Sequence, residues 1–329
     1  MIFFSRIELP KSPVEISYHD RIMLFGSCFA DNMGAKLIEH QFPVDVNPFG
    51  TLYNPESIAL SIRRLLEKKT WESNELFLHA GLYHSAGHHS RFSCISKMDC
   101  LEKINNRLVF SADNLLKSNR LFVTYGTSYV YRLKETGQTV ANCHKLPAKL
   151  FVRGRLSMRQ IVEQWVELLM TLFAAIPELT VIFTVSPVRY WQDGVHENQI
   201  SKSILLLAIE ELQARFPTHI VYFPAYELMI DELRDYRFYA EDLFHPSDTA
   251  IQYIWERFTE TYMNKQTLQL MREVNQIQKA LNHRPLNQKS ESYKQFLAHT
   301  LSQIEQLNAK MPSICFNKEM EALKTIPLG

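Results

Sequence analysis

Ser27 is the residue of this sequence whose position best suits a nucleophile. It follows the apolar run Met23-Leu-Phe-Gly and precedes an amphipathic stretch that contains Phe29, Met33, Leu37 and Ile38. This order predicts a strand that ends at Gly26 and a helix that starts at once, so the hydroxyl would lie at the carboxyl edge of a sheet. A helix N-terminus also stabilises negative charge that develops there. The alternative is that Ser27 is an ordinary N-cap residue.

A serine nucleophile needs a histidine base and an acid that orients it. Asp242 and His245 are the best candidates, because they follow the last predicted strand and precede a helix predicted over residues 248–262. Their spacing lets a loop bring the carboxylate back to the imidazole, which leaves the other ring nitrogen to face Ser27. The alternative is a helix start, His-Pro-Ser, beside a solvated acid.

Other residues could contact a substrate or hold a metal. Four histidines lie close together at His79, His84, His88 and His89. Glycines among them indicate a loop, and only Cys94 and Asp99 are near enough to complete a tetrahedral shell. Substrate contact by His88 and His89 and structural hydrogen bonding stay open as alternatives. We expect no metal and no cofactor.

Two further side chains belong to this set of candidates. Cys28 is a rival nucleophile, because a thiolate beside a helix N-terminus is activated by the same field as Ser27. Arg189 follows a predicted strand and could bind an anionic substrate group through two hydrogen bonds. The alternative for Arg189 is an ion pair that anchors its loop.

These residues require a sheet whose strand ends meet at one edge. Short apolar runs alternate with longer amphipathic stretches, which is typical of a mostly parallel sheet covered by helices. The predicted central strands are residues 22–25, 121–125, 181–185 and 220–223. Each is apolar nearly throughout, as a strand buried on both faces must be.

Two helices are predicted between the later strands. Ser157 and Gln160 form a capping box before an apolar stripe that ends at Pro177. Residues 197–216 form the second helix, and its predicted sheet-facing stripe is Ile200, Ile204, Leu207, Ala208 and Leu212.

Beyond residue 264 the composition becomes rich in Gln, Asn, Lys and Glu. It predicts a helical hairpin interrupted at Arg284 and Pro285, which could pack on the rest of the chain or on a partner.

Composition excludes several classes of function. The formal net charge of the 329 residues is only +1, with opposite charges interspersed, so we expect neither nucleic acid nor membrane as a partner. The N-terminus lacks the pattern of a signal peptide and no apolar run could span a bilayer, so we expect a cytoplasmic protein. Five scattered cysteines without CxxC spacing argue against a disulfide framework and a zinc site.

The pair of blocks around Ser27 and Asp242 resembles the signature of the SGNH (GDSL-like) hydrolases. More narrowly, the string GSCFA at residues 26–30 resembles the defining motif of the GSCFA family, an SGNH-like group of bacterial proteins. The similarity continues through the segments 47–55, 88–92, 125–127, 141–145, 186–189 and 242–245, and covers roughly residues 1–260.

The resemblance implies a Ser27–His245–Asp242 triad on a three-layer α/β/α, flavodoxin-like fold with a mostly parallel sheet. It divides the chain into a hydrolase domain, residues 1–264, and a C-terminal helical extension, residues 265–329. It does not identify a substrate. The Gly-x-Asn-Asp block of the wider superfamily is not recognisable, and Gly126-Thr127 stands in its place.

An oxyanion formed during acyl transfer needs hydrogen-bond donors. The backbone amide of Ser27 is the first candidate. Gly50 matches the second-block glycine of the SGNH enzymes, and its amide could approach a ligand without obstruction by a Cβ. Asn142 is our first choice for the side-chain donor. Gly126, Thr127 and His144 are candidate substrate contacts, with a structural role for His144 as the alternative.

The leading hypothesis is a serine hydrolase that cleaves an O-acyl ester, such as an acetyl ester of a carbohydrate or related small molecule. The second is a non-catalytic protein that binds a sugar or lipid on the same fold, because fold does not imply function. The third is an assembly protein whose helical tail makes its contacts. The sequence does not indicate an oligomeric state.

Overall fold

The computed structural model describes residues 5–283, 290–316 and 320. Its strands are β1 (Ile22–Gly26), β2 (Val44–Val46), β3 (Leu76–His79), β4 (Leu82–Ser85), β5 (Arg120–Tyr125), β6 (Tyr129–Leu133), β7 (Thr139–Val140), β8 (Phe151–Arg155), β9 (Thr180–Val185) and β10 (Ile220–Phe223). Its helices are α1 (Cys28–Glu39), α2 (Pro55–Leu66), α3 (Lys97–Lys117), α4 (Met158–Ala175), α5 (Val195–Arg215), α6 (Ala225–Glu227), α7 (Asp248–Tyr262), α8 (Lys265–Leu281) and α9 (Glu291–Lys310).

Five parallel strands form the central sheet in the order β2-β1-β5-β9-β10. Counted along the chain, these strands have the flavodoxin-like order 2-1-3-4-5. The order reverses between β1 and β5, and ligands of such sheets bind outside the carboxyl ends of the strands at that point. The predicted parallel α/β sheet is therefore confirmed, and its switch point lies where Ser27 follows β1.

The side chains of each central strand alternate between two hydrophobic cores. Met23 and Phe25 of β1 pack with residues of α2, α3, α4 and α5. Ile22 and Leu24 face the other way, toward α1, α7, α8 and α9. Both faces of the sheet are covered, which explains the continuous apolar runs of the strands and confirms the three-layer α/β/α prediction.

Two small antiparallel sheets lie outside the central one. Strands β3 and β4 form a hairpin, and β6 pairs with both β7 and β8. The three-stranded sheet is inserted between β5 and α4. It brings Tyr129, Tyr131 and Arg153 to the carboxyl edge of the central sheet, where they line a cleft.

Helix α5 occupies the predicted segment, but its buried face differs from the predicted stripe. Leu207 is 51% exposed. The buried side chains are instead Asn198, Ser201, Lys202, Leu205, Ala208, Ile209 and Leu212. Two of the polar residues, Ser201 and Lys202, bond the backbone of the loops that follow β5 and β9.

The C-terminal helices are present and pack on the rest of the chain. Leu270, Val274 and Ile304 belong to the same core as α1 and α7. The predicted interruption at Arg284 and Pro285 lies outside the described residues, and the boundary at residue 264 stays a prediction. Over the described ranges, no helix is both long enough and apolar enough to cross a membrane.

Candidate active site

The turn between β1 and α1 holds Ser27 at the switch point of the sheet. Gly26 has a φ of +146°, and a Cβ at this position would lie 2.4 Å from the carbonyl oxygen of Thr124. Glycine is therefore required where β1 and β5 approach each other. Ser27 occupies the N-cap position of α1, but its hydroxyl makes no capping hydrogen bond. This hydroxyl is buried and has no partner among the described residues.

Asn47 fixes this turn from the loop after β2. Its Oδ1 accepts a hydrogen bond from the Gly26 amide at 2.8 Å, and its Nδ2 donates to Asp31 at 2.7 Å. The amide of Leu52 donates to the Gly26 carbonyl at 2.8 Å. The segment after Asn47 is therefore held directly beside Ser27.

Asp242 and His245 form a self-contained pair in the loop before α7. One carboxylate oxygen accepts from His245 Nδ1 at 2.7 Å, and the other accepts from the amides of Phe244 and His245. These bonds lower the pKa of Asp242 to about 2, the backbone bond from His245 having the largest effect. The carboxylate holds Nδ1 as the protonated nitrogen, which leaves Nε2 as the acceptor.

Ser27 and His245 line one cleft, of about 440 Å³, at the carboxyl edge of the sheet. No hydrogen bond joins their side chains in the structure. The His245 side chain is 48% exposed, so it has room to reorient, and catalytic hydrogen bonds often form only when substrate is bound. A hydroxyl, an oriented imidazole and nearby amide groups are the components of nucleophilic acyl transfer.

Three of the residues predicted near the substrate line this cleft, namely Gly126, Thr127 and Asn142. The amides of Gly126 and Thr127 both donate to the carbonyl of Tyr53, at 2.8 and 2.9 Å. The Oδ1 of Asn142 accepts from the amide of His144 at 2.8 Å, which leaves its Nδ2 as the free donor. Asn142 is thus available to an oxyanion, whereas the two backbone amides are already used.

Gly50, the second candidate oxyanion donor of the sequence analysis, is not among the residues that line the cleft. Its amide donates to the carbonyl of Asn47 at 2.8 Å, so it closes a turn and is not free for an oxyanion. Its φ of +83° and the His89 Cβ, which a Cβ on Gly50 would meet at 2.2 Å, explain why glycine stands here. Glycine is needed at position 50 because the loop that carries His89 approaches its backbone closely.

The three candidate histidines lie outside the cleft. His88 is buried between Phe49, Trp71 and Phe92, and burial, together with Arg64 and His144, lowers its pKa to about 3. His144 bonds the Ser85 carbonyl through Nε2, and His89 caps a short helical turn by accepting from the Arg91 amide. Their hydrogen bonds join loops to one another. No group of three or more His, Cys, Asp or Glu side chains in the described ranges could hold a metal ion.

Arg189 lies beside the cleft, in a separate pocket of about 280 Å³. Residues 189–192 form part of the wall between them, because Tyr190 and Gln192 line the cleft whereas Arg189 and Trp191 line the pocket. The amide of Arg189 donates to the Phe244 carbonyl at 3.2 Å, which ties this wall to the loop that carries His245.

Asn54 lines the cleft but was missing from the candidates of the sequence analysis. It is the N-cap of α2, and its Oδ1 accepts from the Ser57 amide at 2.8 Å. That bond fixes the orientation of the side chain, so Nδ2 is the free donor and has no partner in the described part of the chain. Its position between Tyr53, which bonds Gly126, and α2 places it in the segment beside Ser27. An Asn-Pro pair before a helical stripe is a signal for a cap, not for a catalytic donor.

Part of the cleft wall comes from the inserted three-stranded sheet. The guanidinium of Arg153 lies 4.0 Å from the ring centre of Tyr129 and 5.3 Å from that of Tyr131. It also forms a two-bond ion pair with Asp193. Tyr53 and Tyr190 complete an aromatic lining. Strands β6 and β8 are partly exposed, so their sequences show neither helical spacing nor the continuous apolar run of a buried strand.

Two protein-family models match this chain. The family model described as "GSCFA family" matches residues 21–258, and the model described as "GSCFA domain protein, C-terminal domain" matches residues 274–325. None of the curated proteins matches the sequence. The first match includes Ser27, the cleft-lining loops and the Asp242–His245 pair.

The solved structures that are similar to this chain include two esterases. One is a carbohydrate esterase family 3 protein from Talaromyces cellulolyticus, with a TM-score of 0.37 and 10% identity over 77% of this chain and 99% of that one. The other is an acetyl xylan esterase, Est2A, from the rumen bacterium Butyrivibrio proteoclasticus, also with a TM-score of 0.37 and 10% identity, over 76% of this chain and 64% of that one.

Proposed function

We propose that this chain, which belongs to the GSCFA family, is a serine hydrolase that cleaves an O-acyl ester. The observation that carries the proposal is the cleft at the sheet switch point, which is lined by Ser27 at the end of β1 and by His245 with its Asp242 partner.

The reaction uses these three residues in two steps. The Ser27 oxygen attacks the ester carbonyl carbon while His245 Nε2 takes the hydroxyl proton. The tetrahedral intermediate collapses, the bond to the alcohol oxygen breaks, and the alcohol leaves with the proton from His245. Water then attacks the acyl-enzyme, gives its proton to His245 and releases the acid as Ser27 is reprotonated. Asp242 stabilises the imidazolium in both steps.

The oxyanion would be bound by the Ser27 amide and by a side-chain amide. Asn54 is the stronger candidate for the latter, because its orientation is fixed by the α2 cap and its chain segment bonds the Gly26 turn. Asn142, which also lines the cleft, is the other candidate. Losing one such donor typically costs about 10²- to 10³-fold in rate.

The lining of the cleft favours a polar, ring-shaped alcohol as the leaving group of the ester. Four tyrosines, Tyr53, Tyr129, Tyr131 and Tyr190, give it apolar ring surfaces that also carry hydroxyl groups. An acetyl ester of a carbohydrate or a related small molecule fits this lining.

A second candidate function is binding of a sugar or lipid without catalysis. The observation that favours it is the missing hydrogen bond between the Ser27 hydroxyl and His245, because a fixed pair would be the simplest sign of an activated nucleophile. The same cleft would then bind its ligand through the tyrosines.

Labelling with a fluorophosphonate ester distinguishes the two functions. An activated serine forms a covalent phosphonate, and peptide mass mapping identifies the modified residue. We expect an adduct on Ser27 that is absent from Ser27→Ala and His245→Ala proteins. A Cys28→Ala protein is the matched control for the neighbouring thiol and should still be labelled. A folded wild-type protein that is not labelled would favour the binding function.

A further inference from the structure

A lysine is buried beneath the floor of the cleft. Lys202 of α5 is 2% exposed, and its Nζ donates to the carbonyls of Gly126 and Ser186, both at 2.8 Å. These carbonyls directly follow β5 and β9, so one ammonium group joins the carboxyl ends of two neighbouring strands. Both acceptors are neutral, and no carboxylate pairs with Lys202 among the described residues.

The ammonium is close to the nucleophile turn. Gly126 packs against Ser27, since a Cβ on Gly126 would lie 3.5 Å from the Ser27 Cβ. The groups that face the ammonium are the thiol of Cys28, from α1, and the ring of Tyr226, from α6, whose centre is 5.3 Å from Nζ. Only two of its three N–H groups have acceptors in the described chain.

Burying a cation among neutral groups is costly, because neither water nor an anion stabilises it. Burial lowers the pKa of Lys202 to about 7. Negative charge that develops above Ser27 during ester attack would compensate this charge across a medium of low dielectric constant. A lysine whose role is only to join two loops would not need to be charged.

We propose that Lys202 is a positioning residue of the ester-cleaving site, which holds the ends of β5 and β9 around Ser27 and stabilises, through its charge, the oxyanion of the reaction. This inference rests on the proposed function.

The proposal gives activity and stability opposite dependences on pH. Activity requires the ammonium form of Lys202 as well as the neutral His245 base, so the contribution of Lys202 to activity falls as pH rises through about 7. Burial raises the pKa of Cys28 and of Tyr226, so both stay neutral there. The unfolded chain keeps Lys202 protonated up to about pH 10.4, so it binds more protons than the folded chain between pH 7 and that value. The free energy of unfolding therefore gains a contribution that increases with pH over this window.

The test compares Lys202→Gln with Lys202→Met and with the exposed control Lys117→Gln. Glutamine keeps two N–H donors for the carbonyls but has no charge. The measurements are the rate of Ser27 labelling by fluorophosphonate from pH 6 to 9 and urea unfolding over the same range. We expect Lys202→Gln to fold, to be labelled at least about tenfold more slowly at pH 6, and to lose the decline above pH 7. Lys117→Gln should behave as the wild type.

Equal labelling of Lys202→Gln and wild type, or a decline above pH 7 that persists in the variant, would overturn the role of Lys202 and leave the proposed function intact. No labelling of wild type would overturn both. If Lys202→Met does not fold, Lys202→Gln and the pH dependence of wild-type unfolding still decide, because a wild-type stability that does not rise above pH 7 contradicts the lowered pKa of Lys202.

Discussion

The Ser27 hydroxyl differs from other serine N-caps of this chain because it does not cap its helix. Ser96, Ser157 and Ser247 each accept a hydrogen bond from an amide of the first turn. Ser27 has the same position and an extended backbone, yet its hydroxyl is buried without a partner in the described structure. A buried polar group without a partner costs about 1–3 kcal/mol, so a role as helix cap does not explain this hydroxyl.

We expect Ser27→Ala to remove activity without lowering stability. Removing an unbonded hydroxyl should leave the free energy of unfolding unchanged or raise it by about 1 kcal/mol. Ser157→Ala, which breaks a capping box, should lower it by about 1 kcal/mol. Urea unfolding of both variants measures the difference. Equal losses for the two would mean that Ser27 is a structural cap.

Asn54 can be tested apart from its role as a cap. Asn54→Ser keeps an N-cap oxygen for the Ser57 amide but lacks the Nδ2 donor, so α2 should be retained. We expect the rate of Ser27 labelling to fall about 10²-fold with little change in stability. Asn142→Ser is the matched comparison. A loss with Asn142→Ser alone would assign the oxyanion donor to Asn142.

At the scale of elements, strands buried on both faces were predictable and partly exposed ones were not. Residues 22–25, 121–125, 181–185 and 220–223 are apolar nearly throughout and match β1, β5, β9 and β10 to within a residue. Edge strand β2 was missed because its central residue is Asp45. This carboxylate is buried against Arg107 of α3, a tertiary contact that no local pattern contains.

Dependence on tertiary contacts also explains which parts of the site were missed. Ser27, Asp242 and His245 are close to strand or helix ends that the sequence predicts. Lys202 lies on the buried face of α5, where an apolar stripe was expected one position away. The continuous helical spacing from Asn198 through Lys202 to Leu212 was the available signal. The polar residues at the start of α5 could not be interpreted from the sequence, because it does not show which loops they bond.

Gly26 sets the distance between β1 and β5 at the turn that carries Ser27. We expect Gly26→Ala to lower the free energy of unfolding by about 1–3 kcal/mol or more, because its Cβ would clash with the Thr124 carbonyl and its φ is unfavourable for alanine. Gly154→Ala is the control, since no atom lies within 4 Å of its Cβ position. Chemical unfolding measures both. Equal stability of the two variants would contradict the requirement for glycine.

At the scale of the whole molecule, the C-terminal helices complete the second core. Their apolar residues contact the same cluster as Ile22 and Leu24 of β1, and the side chain of Lys310 bonds Glu273 of α8. The apolar stripe that a partner would need is thus used within the chain. This arrangement gives no support to the hypothesis that the tail exists for assembly. It also packs α9 into the same core as the sheet that holds Ser27.

That connection predicts one cooperative unfolding transition. Ile304 of α9 is fully buried, so Ile304→Ala should lower the free energy of unfolding by about 2–5 kcal/mol. Glu305→Ala, on the exposed side, should change it by less than about 0.5 kcal/mol. Urea unfolding, followed by tryptophan fluorescence and by Ser27 labelling, should give coincident curves for each variant. In the opposite outcome, Ile304→Ala would move a first fluorescence transition to lower urea while Ser27 labelling survived. Residues 265–329 would then be an independent unit, and the boundary at residue 264 would be a true domain boundary.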